Sequence, residues 1–580
     1  MKKGCLIILL CLFEAFFTLA AGQDKIIKTD LKTVCYAGSG VKRIYIPPPE
    51  EFYRKEGGAK ITVSYTGFNS LAKGAFQYAV SILSSILPAN ASFNIKAVYE
   101  PLSDPNILAQ ASATYFMRGS AINAFDPGAY YSAPLAEKIS GVNHNGISEP
   151  DVEISVNSLV TWYTGTSGNT PSTMYDMVTV VLHELIHGLG FFDSFRVVDS
   201  VGTYGFYGTP VIYDKFVVNN NYKKLIDTLI YRNPSGKLKT EITGNKVYFH
   251  GPVVNALNNG TGIKLFAHSV WDNGSSIAHF DEFSTPPAEA LMTPYIDRGE
   301  AIHAPGKLAR ALLGEIGWIN TGFIHKRLSD TEDTLEYVDL KTQIVSDTVY
   351  ISDSAGVCFY FGDKGIRDTI YLSLTGVEDT FAVSIPVTEY NTSFSYSFFV
   401  KDCFGRIFRL PSATDSASYR IYIGTDTVKP VIKHTPPDMI FSISPSIIFT
   451  AYADDNIGID TVYVEYEITD GISVSAGMQR QKENDFKADI NLTSLGLHEG
   501  DTIKYRITAI DNSRGRNIKT VPESGFYKIP VEQVLTPSAS YITDFSDANG
   551  IFINRGFEIT TPPGFAGPAL HTLHPHESPE

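Results

Sequence analysis

Cysteine is scarce, with five in 580 residues. Two of these, Cys5 and Cys11, lie in an apolar N-terminal stretch, which leaves Cys35, Cys358 and Cys403, too few for a disulfide-built scaffold. Cys358 and Cys403 fall in one β-patterned region and are candidates to pair, with Cys35 left over. Basic charge is also short: 47 Lys and Arg face 62 Asp and Glu, for a net charge of −15. No basic block exists that would hold nucleic acid. Charged residues make up only 19% of the chain and aromatics 12%, which excludes disorder and favours packed, β-rich structure. After Leu19 no run is long and apolar enough to span a bilayer.

The first residues read as a secretory signal over 1–22. Lys2 and Lys3 are its positive end, Cys5 to Leu19 its apolar stretch, and Leu19-Ala20-Ala21-Gly22 its small-residue exit. Glu14 and the shortness of the stretch argue against a membrane anchor. Leu10 ahead of Cys11 argues against a lipoprotein. The chain is therefore expected to be exported, secreted or cell-surface associated, with no transmembrane segment after signal removal.

A length of 580 residues calls for several domains. Residues 23–59 form an N-terminal segment. From 60 to 324 strands and helices mix: Ile61–Tyr65 and Phe93–Tyr99 alternate, Leu71–Leu87 has helical periodicity, Asp151–Val156 reads as a strand and Lys307–Ile316 as a helix. From 325 the pattern becomes short alternating segments between turns, as in a β-sandwich, and Asp426 to Pro430 starts a second block. The expected sandwiches are 325–426 and 427–532. Tyr396, Asp402 and Gly405-Arg406 match Tyr505, Asp511 and Gly515-Arg516, which suggests duplication. The part from 325 onward is expected to be separable from what precedes it. Residues 533–580 are expected to be the start of a domain left incomplete, with the terminal histidines in a solvated tail.

The chemistry is concentrated in His183-Glu184-Leu185-Ile186-His187. Residues four apart share one helix face, so both imidazoles can aim at one zinc ion while Glu184 reaches an activated water without ligating the metal. Thr173 is the expected N-cap, with Asp176 three residues on, and Gly190 the expected stop. A catalytic zinc needs a third protein ligand. Asp193 is one candidate, returned by a turn at Gly190; His279, 92 residues beyond His187, is the other.

The segments HELIHGLGF at 183–191, AHF at 278–280 and ALMTP at 290–294 resemble the metzincin metallopeptidases, and among them the leishmanolysin-like branch. They are also similar to exported bacterial proteins with this domain followed by sandwich modules. The resemblance covers roughly residues 60–320 and finds no counterpart for 194–278. It implies a multidomain fold: an α+β metzincin-like catalytic domain, then two all-β immunoglobulin- or fibronectin-like sandwiches. It implies His183, His187 and His279 as zinc ligands, Met292 as a hydrophobic floor, and Val152–Val156 as a cleft-edge strand pairing with an extended peptide. Cys35 reads as a small buried residue or as an inhibitory thiolate. Residues 23–60 are too few for an independently folded inhibitory prodomain.

The expected function is that of a secreted zinc-dependent endopeptidase acting on protein or peptide substrates, with Glu184 as general base. The sandwiches would serve a cell-surface or glycan ligand. The competing expectation is a surface adhesin with a vestigial peptidase domain; a third is metal-dependent hydrolysis of a non-peptide bond.

Overall fold

The computed structural model describes residues 26–28, 32–54, 58–362, 365, 367–412, 418–468, 471–493, 496–534, 557–561 and 569–572. The expected signal at 1–22 and most of 533–580 lie outside them; within the latter, Phe557–Thr560 pairs with Ala569–Thr572. The chain divides into two compact units, one ending at Gly424 and the next starting at Thr425. Among the described residues no helix is long and apolar enough to cross a membrane.

The first unit begins with strand β1 (Thr33–Ile46), then β2 (Lys60–Thr66), helix α1 (Ser70–Ile86), β3 (Ser92–Glu100) and β4 (Ile107–Ala113). Helix α2 (Ala133–Ser140), β5 (Val152–Asn157) and helix α3 (Met177–Gly188) follow. After a long excursion come β6 (Tyr295–Ile302) and helix α4 (Gly306–Leu313). The six strands form one sheet in the order β6-β1-β4-β5-β3-β2. Strand β4 runs antiparallel to both its neighbours, and every other pair is parallel.

Sequence periodicity explains these elements. Phe93, Ile95 and Ala97 alternate inward on β3, and Val152, Ile154 and Val156 do so on β5. Helix α1 starts at Asn69, whose side chain accepts from the Ala72 amide. It buries Phe76, Val80, Ile82 and Leu83, each worth roughly 1.5–3 kcal/mol for a full side chain. Helix α1 packs against α3, which is buried along its whole length and also lies against β1, β4, β5 and β6.

One expectation from the family resemblance is corrected here. Strand β5 is interior, bonded to β4 on one side and β3 on the other, so its backbone groups are already paired and it cannot add a peptide strand. The strand next to it, β4, holds β1 on its free side, and β1 is bonded in turn to β6.

Residues 321–423 fold as two packed β-sheets. One contains Thr321–Ile324, Tyr337–Ser346, Thr380–Pro386 and Ser373–Leu374; the other centres on Tyr350–Phe361 and Thr392–Asp402. The second unit repeats this strand order, with Ser446–Asp454 and Asp485–Asn491 in one sheet and Ile459–Ile468 and Thr502–Asp511 central to the other. The duplication extends to a polar clip. His325 Nδ1 meets the Lys341 carbonyl 16 residues on, and its Nε2 meets the Tyr396 hydroxyl 71 residues on. His434 makes the same pair with Thr450 and Tyr505 at the same spacings of 16 and 71. Among the described residues strand outweighs helix, and much of it lies in these two sandwiches.

Cys358 and Cys403 are free thiols. Cys358 sits opposite Ser397, and Cys403 lies six residues beyond Ser397, just past the end of that strand at Asp402. Six residues of strand span about 20 Å, far beyond disulfide reach.

The first sandwich is tied to the helical part across residue 325. Arg406, only 9% exposed, donates from Nε to Asp402 at 2.7 Å and from its two other nitrogens to the Gly314 and Ile319 carbonyls, both at 2.9 Å. Those carbonyls flank the π-helical turn Gly314–Trp318 that ends α4. Lys138 of α2 pairs with Asp347, and Phe125 meets Phe408 edge-on. Arg406→Ala leaves Asp402 Oδ2 and both carbonyls without this donor. It is expected to destabilise the first unit by about 3–5 kcal/mol, the range for breaking a buried ion pair. Chemical denaturation of the full chain, read by tryptophan fluorescence, checks this; a midpoint unchanged from the parent would refute it.

Candidate metal centre

The site begins with how α3 starts and stops. Its N-cap is Asp176 rather than Thr173: the Asp176 carboxylate accepts from the Thr179 amide at 2.8 Å and is held by His303 at 2.9 Å and Thr170 at 2.7 Å. At the other end, Gly188 packs where a Cβ would come within 2.5 Å of Val152. Gly190 then turns the chain with φ of 110°, a conformation open to glycine. The turn brings the Phe191 carbonyl back beneath the helix.

Helix α3 carries His183 and His187, one turn apart, with Glu184 beside them. His279 arrives from the segment 275–279, held down by a hydrogen bond from the Tyr213 hydroxyl to the Ile277 carbonyl at 2.7 Å. Ile277 sits at φ of 68°, a strained state for a β-branched residue. The three Nε2 atoms converge, 3.0 Å apart for His183 and His187 and 3.2 Å for each pair with His279. His183, Glu184 and His279 are fully buried, and His187 is nearly so.

Each imidazole points its other nitrogen at a backbone carbonyl. Nδ1 of His183 meets Leu291 O at 2.6 Å, that of His187 meets Phe191 O at 2.7 Å, and that of His279 meets Ser275 O at 2.8 Å. A carbonyl only accepts, so each Nδ1 carries the proton. Each Nε2 is then a bare lone pair, and the three short Nε2 contacts cannot be hydrogen bonds. Burial also holds the rings neutral, lowering His183 to about 4 and His279 to about 3. His187 is lowered well below the usual histidine value by burial and by its two histidine neighbours. Three neutral imidazoles with converging lone pairs are a donor set for a metal ion; nitrogens about 2.0–2.1 Å from a tetrahedral ion would lie roughly 3.3 Å apart.

Glu184 reinforces this reading. Both its carboxylate oxygens are buried without a hydrogen-bond partner, and burial pushes its pKa well above the usual carboxylate value. Cys35 of β1 lies beside these groups, its sulfur within 4.8 Å of ligand atoms of His183 and Glu184. Burial, with Glu184 and Glu300 nearby, pushes the Cys35 thiol up and keeps it protonated.

Asp193 does not join the three histidines. Its Oδ1 accepts from the Phe195 amide at 2.7 Å, shaping the turn after α3. Burial and the neighbouring Asp214 raise it well above the usual range, and burial raises Asp214 to about 7. Met292 is fully buried, its carbonyl accepting from the Phe280 amide at 2.8 Å, while the preceding Leu291 carbonyl orients His183. The carbonyls of Leu291, Phe191 and Ser275 are functional groups that sequence reasoning missed, because a backbone acceptor leaves no mark on residue identity. Of the remaining histidines, His303 serves the α3 cap and His325 the sandwich clip.

A family model described as SPBPB7E8-like matches residues 107–302, a span that takes in β4, α3, His279 and β6. No curated protein matches the chain. Among solved structures the chain is similar to a tetra-tandem repeat in the extending region of a large adhesion protein, at 13% identity and TM-score 0.16. That match covers 35% of this chain and 47% of the other, so the chain spans about half of that structure. It is also similar to an I-band fragment of titin, at 12% identity and TM-score 0.15, covering 37% of this chain and 66% of that one.

The ligand geometry separates the two candidates for a third metal ligand. His279→Ala is expected to lose bound metal, whereas Asp193→Ala keeps it, with metal content measured by elemental analysis of purified protein. Full metal in His279→Ala together with loss in Asp193→Ala would reverse the assignment.

Proposed function

We propose that the chain is an exported zinc endopeptidase of the metzincin type, held latent by its own strand β1. The observation that supports this best is the set of three unprotonated Nε2 atoms facing one another beside a buried, unpartnered glutamate on the same helix. The nitrogen-only donor set suits zinc, with a fourth position left for water or substrate. Bound there, zinc would polarise a scissile carbonyl and make water acidic enough to lose its proton near neutral pH.

Glu184 would take the proton of the attacking water and pass it to the leaving amine as the peptide bond breaks. Its raised pKa suits both halves of that exchange, since the carboxyl must hold a proton between the two transfers. A cation beside it would restore the ionised form before attack. His183, His187 and His279 stay neutral throughout, their Nδ1 protons held by the three carbonyls.

The sheet supports one placement of substrate. Strand β1 lies antiparallel to β4 and parallel to β6, with Tyr36 registered against both Ile107 and Tyr295. It passes over Glu184 at Cys35. If β1 withdrew, two sheet edges would border a slot above the histidines, and an extended peptide could pair with both. A segment too short to fold alone would thus serve as an inhibitor by borrowing the sheet of the domain it blocks. Export, and a cell-surface or glycan ligand for the sandwiches, belong to the same proposal.

The test uses a protein–peptide mixture, zinc and a chelator. The full chain is expected to cleave slowly, and cleavage between β1 and β2 to raise the rate, with activity abolished by chelation. Glu184→Gln is expected to retain zinc and lose turnover by about a hundredfold or more, the scale of a general base. A zinc-loaded, N-terminally cleaved chain that leaves a diverse peptide library untouched would favour the adhesin reading instead.

A further inference from the structure

The second unit holds a separate group of acids. Oxygens of Asp426, Asp455 and Asp511 lie within 4.8 Å of one another. Asp426 lies on the segment entering the unit, Asp455 just after the strand Ser446–Asp454, and Asp511 at the end of the central strand Thr502–Asp511. Local donors fix their orientation. Asp511 Oδ1 accepts from the Ser513 and Asn517 amides at 3.0 and 2.9 Å, and from the Ser513 hydroxyl at 2.6 Å. Asp426 accepts from the side-chain amides of Asn456 and Asn517, both at 3.0 Å, and Asp455 from the Ile457 amide at 3.1 Å.

Orientation is not neutralisation. Asp511 is fully buried, and its second oxygen, Oδ2, has no hydrogen-bond partner. Asp455 Oδ2 is likewise buried and unpartnered. A carboxylate taken out of water without a counter-charge costs several kcal/mol, and a cation held among the three carboxylates would offset that cost.

The first sandwich supplies an internal comparison. Asp402 stands where Asp511 stands, 109 residues earlier, the same offset that separates His325 from His434 and Tyr396 from Tyr505. The Asp402 Oδ1 also accepts from loop amides, those of Phe404 and Arg406, both at 2.9 Å. Its Oδ2, however, receives Arg406 Nε at 2.7 Å. In the second sandwich Arg516 turns outward to Asp460 at 2.7 Å, and the groups beside Asp511 include the carboxylates of Asp455 and Asp426.

We propose that the second sandwich binds a calcium ion through Asp426, Asp455 and Asp511. The donors are all oxygen, which selects a hard cation and disfavours zinc. Three carboxylates from three separate segments, completed by water, match the six to eight flexible oxygen ligands of calcium better than the strict octahedron of magnesium. The ion would tie the entry segment to two loops of the same unit. This site is independent of the histidine centre and does not rest on the proposed peptidase activity.

The test is calcium titration of the full-length protein, freed of divalent ions on a chelating resin, by calorimetry and by equilibrium dialysis with radioactive calcium. One ion should bind saturably with Kd of about 1 mM or tighter, the range of extracellular modules. Magnesium should bind more weakly. Asp511→Asn and Asp455→Asn should each weaken calcium at least about tenfold by removing a charged ligand, with the metal content of the histidine centre unchanged. Should Asp511→Asn fail to fold, Asp455→Asn, at the more exposed edge of the cluster, decides alone. Absence of saturable binding, affinity unchanged in the folded variants, or magnesium binding as tightly as calcium would overturn the proposal.

Discussion

Three backbone carbonyls decide what the histidines of this protein can do. By accepting from Nδ1 of His183, His187 and His279, the carbonyls of Leu291, Phe191 and Ser275 fix which nitrogen of each ring is bare. Each carbonyl comes from a different local device: a short 3₁₀ turn ending at Met292, the glycine turn after α3, and a loop with Ile277 in a strained conformation. The burial that keeps the rings neutral comes from the sheet and from α1 packing on α3. The excursion from 194 to 278, the sheet and the helices can all be understood as holding these three acceptors in place.

In the proposed reading the same sheet also controls access. An ordinary cleft would leave β4 and β6 as open edges, which are also sites where unrelated chains pair. Here β1 fills the gap, and Lys42 locks it with ion pairs to Glu282, Asp297 and Glu300 at 3.3 to 3.5 Å. Gly38 and Gly40 let β1 pass Asp297, since a Cβ at Gly38 would come within 2.2 Å of its carboxylate. In the proposed reading, the residues that block the centre also protect the sheet until the centre is needed.

What sequence could and could not reveal follows from range. Periodicity located α1, β3 and β5 within a residue or two and the start of α3 within three, because hydrophobic alternation is a local record of which face is buried. His183, Glu184 and His187 were legible for the same reason, lying on one helix face. The true cap of α3 was not, since Thr173 and Asp176 are both acceptable caps and only the tertiary partners His303 and Thr170 favour Asp176. The pairing of β1 was not legible because its partners lie about 70 and 260 residues away; on that strand the sequence singled out only Cys35, as a small buried residue or an inhibitory thiolate. The duplicated sandwiches were visible in the strand ends at Asp402 and Asp511. The His325–Tyr396 and His434–Tyr505 clips were not, because one histidine in each block carries no local signature.

The threading of β1 also has a consequence for the order in which the protein assembles. Within the six-stranded sheet, the strand synthesised first is the one whose second neighbour is made last: Tyr36 pairs with Ile107, but also with Tyr295. Until β6 has been made, β1 can be bonded on one side only, and closing that second ladder brings together residues separated by most of the first unit. The histidine centre meets the same condition, since His279 and the Leu291 carbonyl arrive only just before β6. On the proposed reading, lid and centre are completed by one late closure, so that a chain far enough along to assemble the centre is also far enough along to cover it.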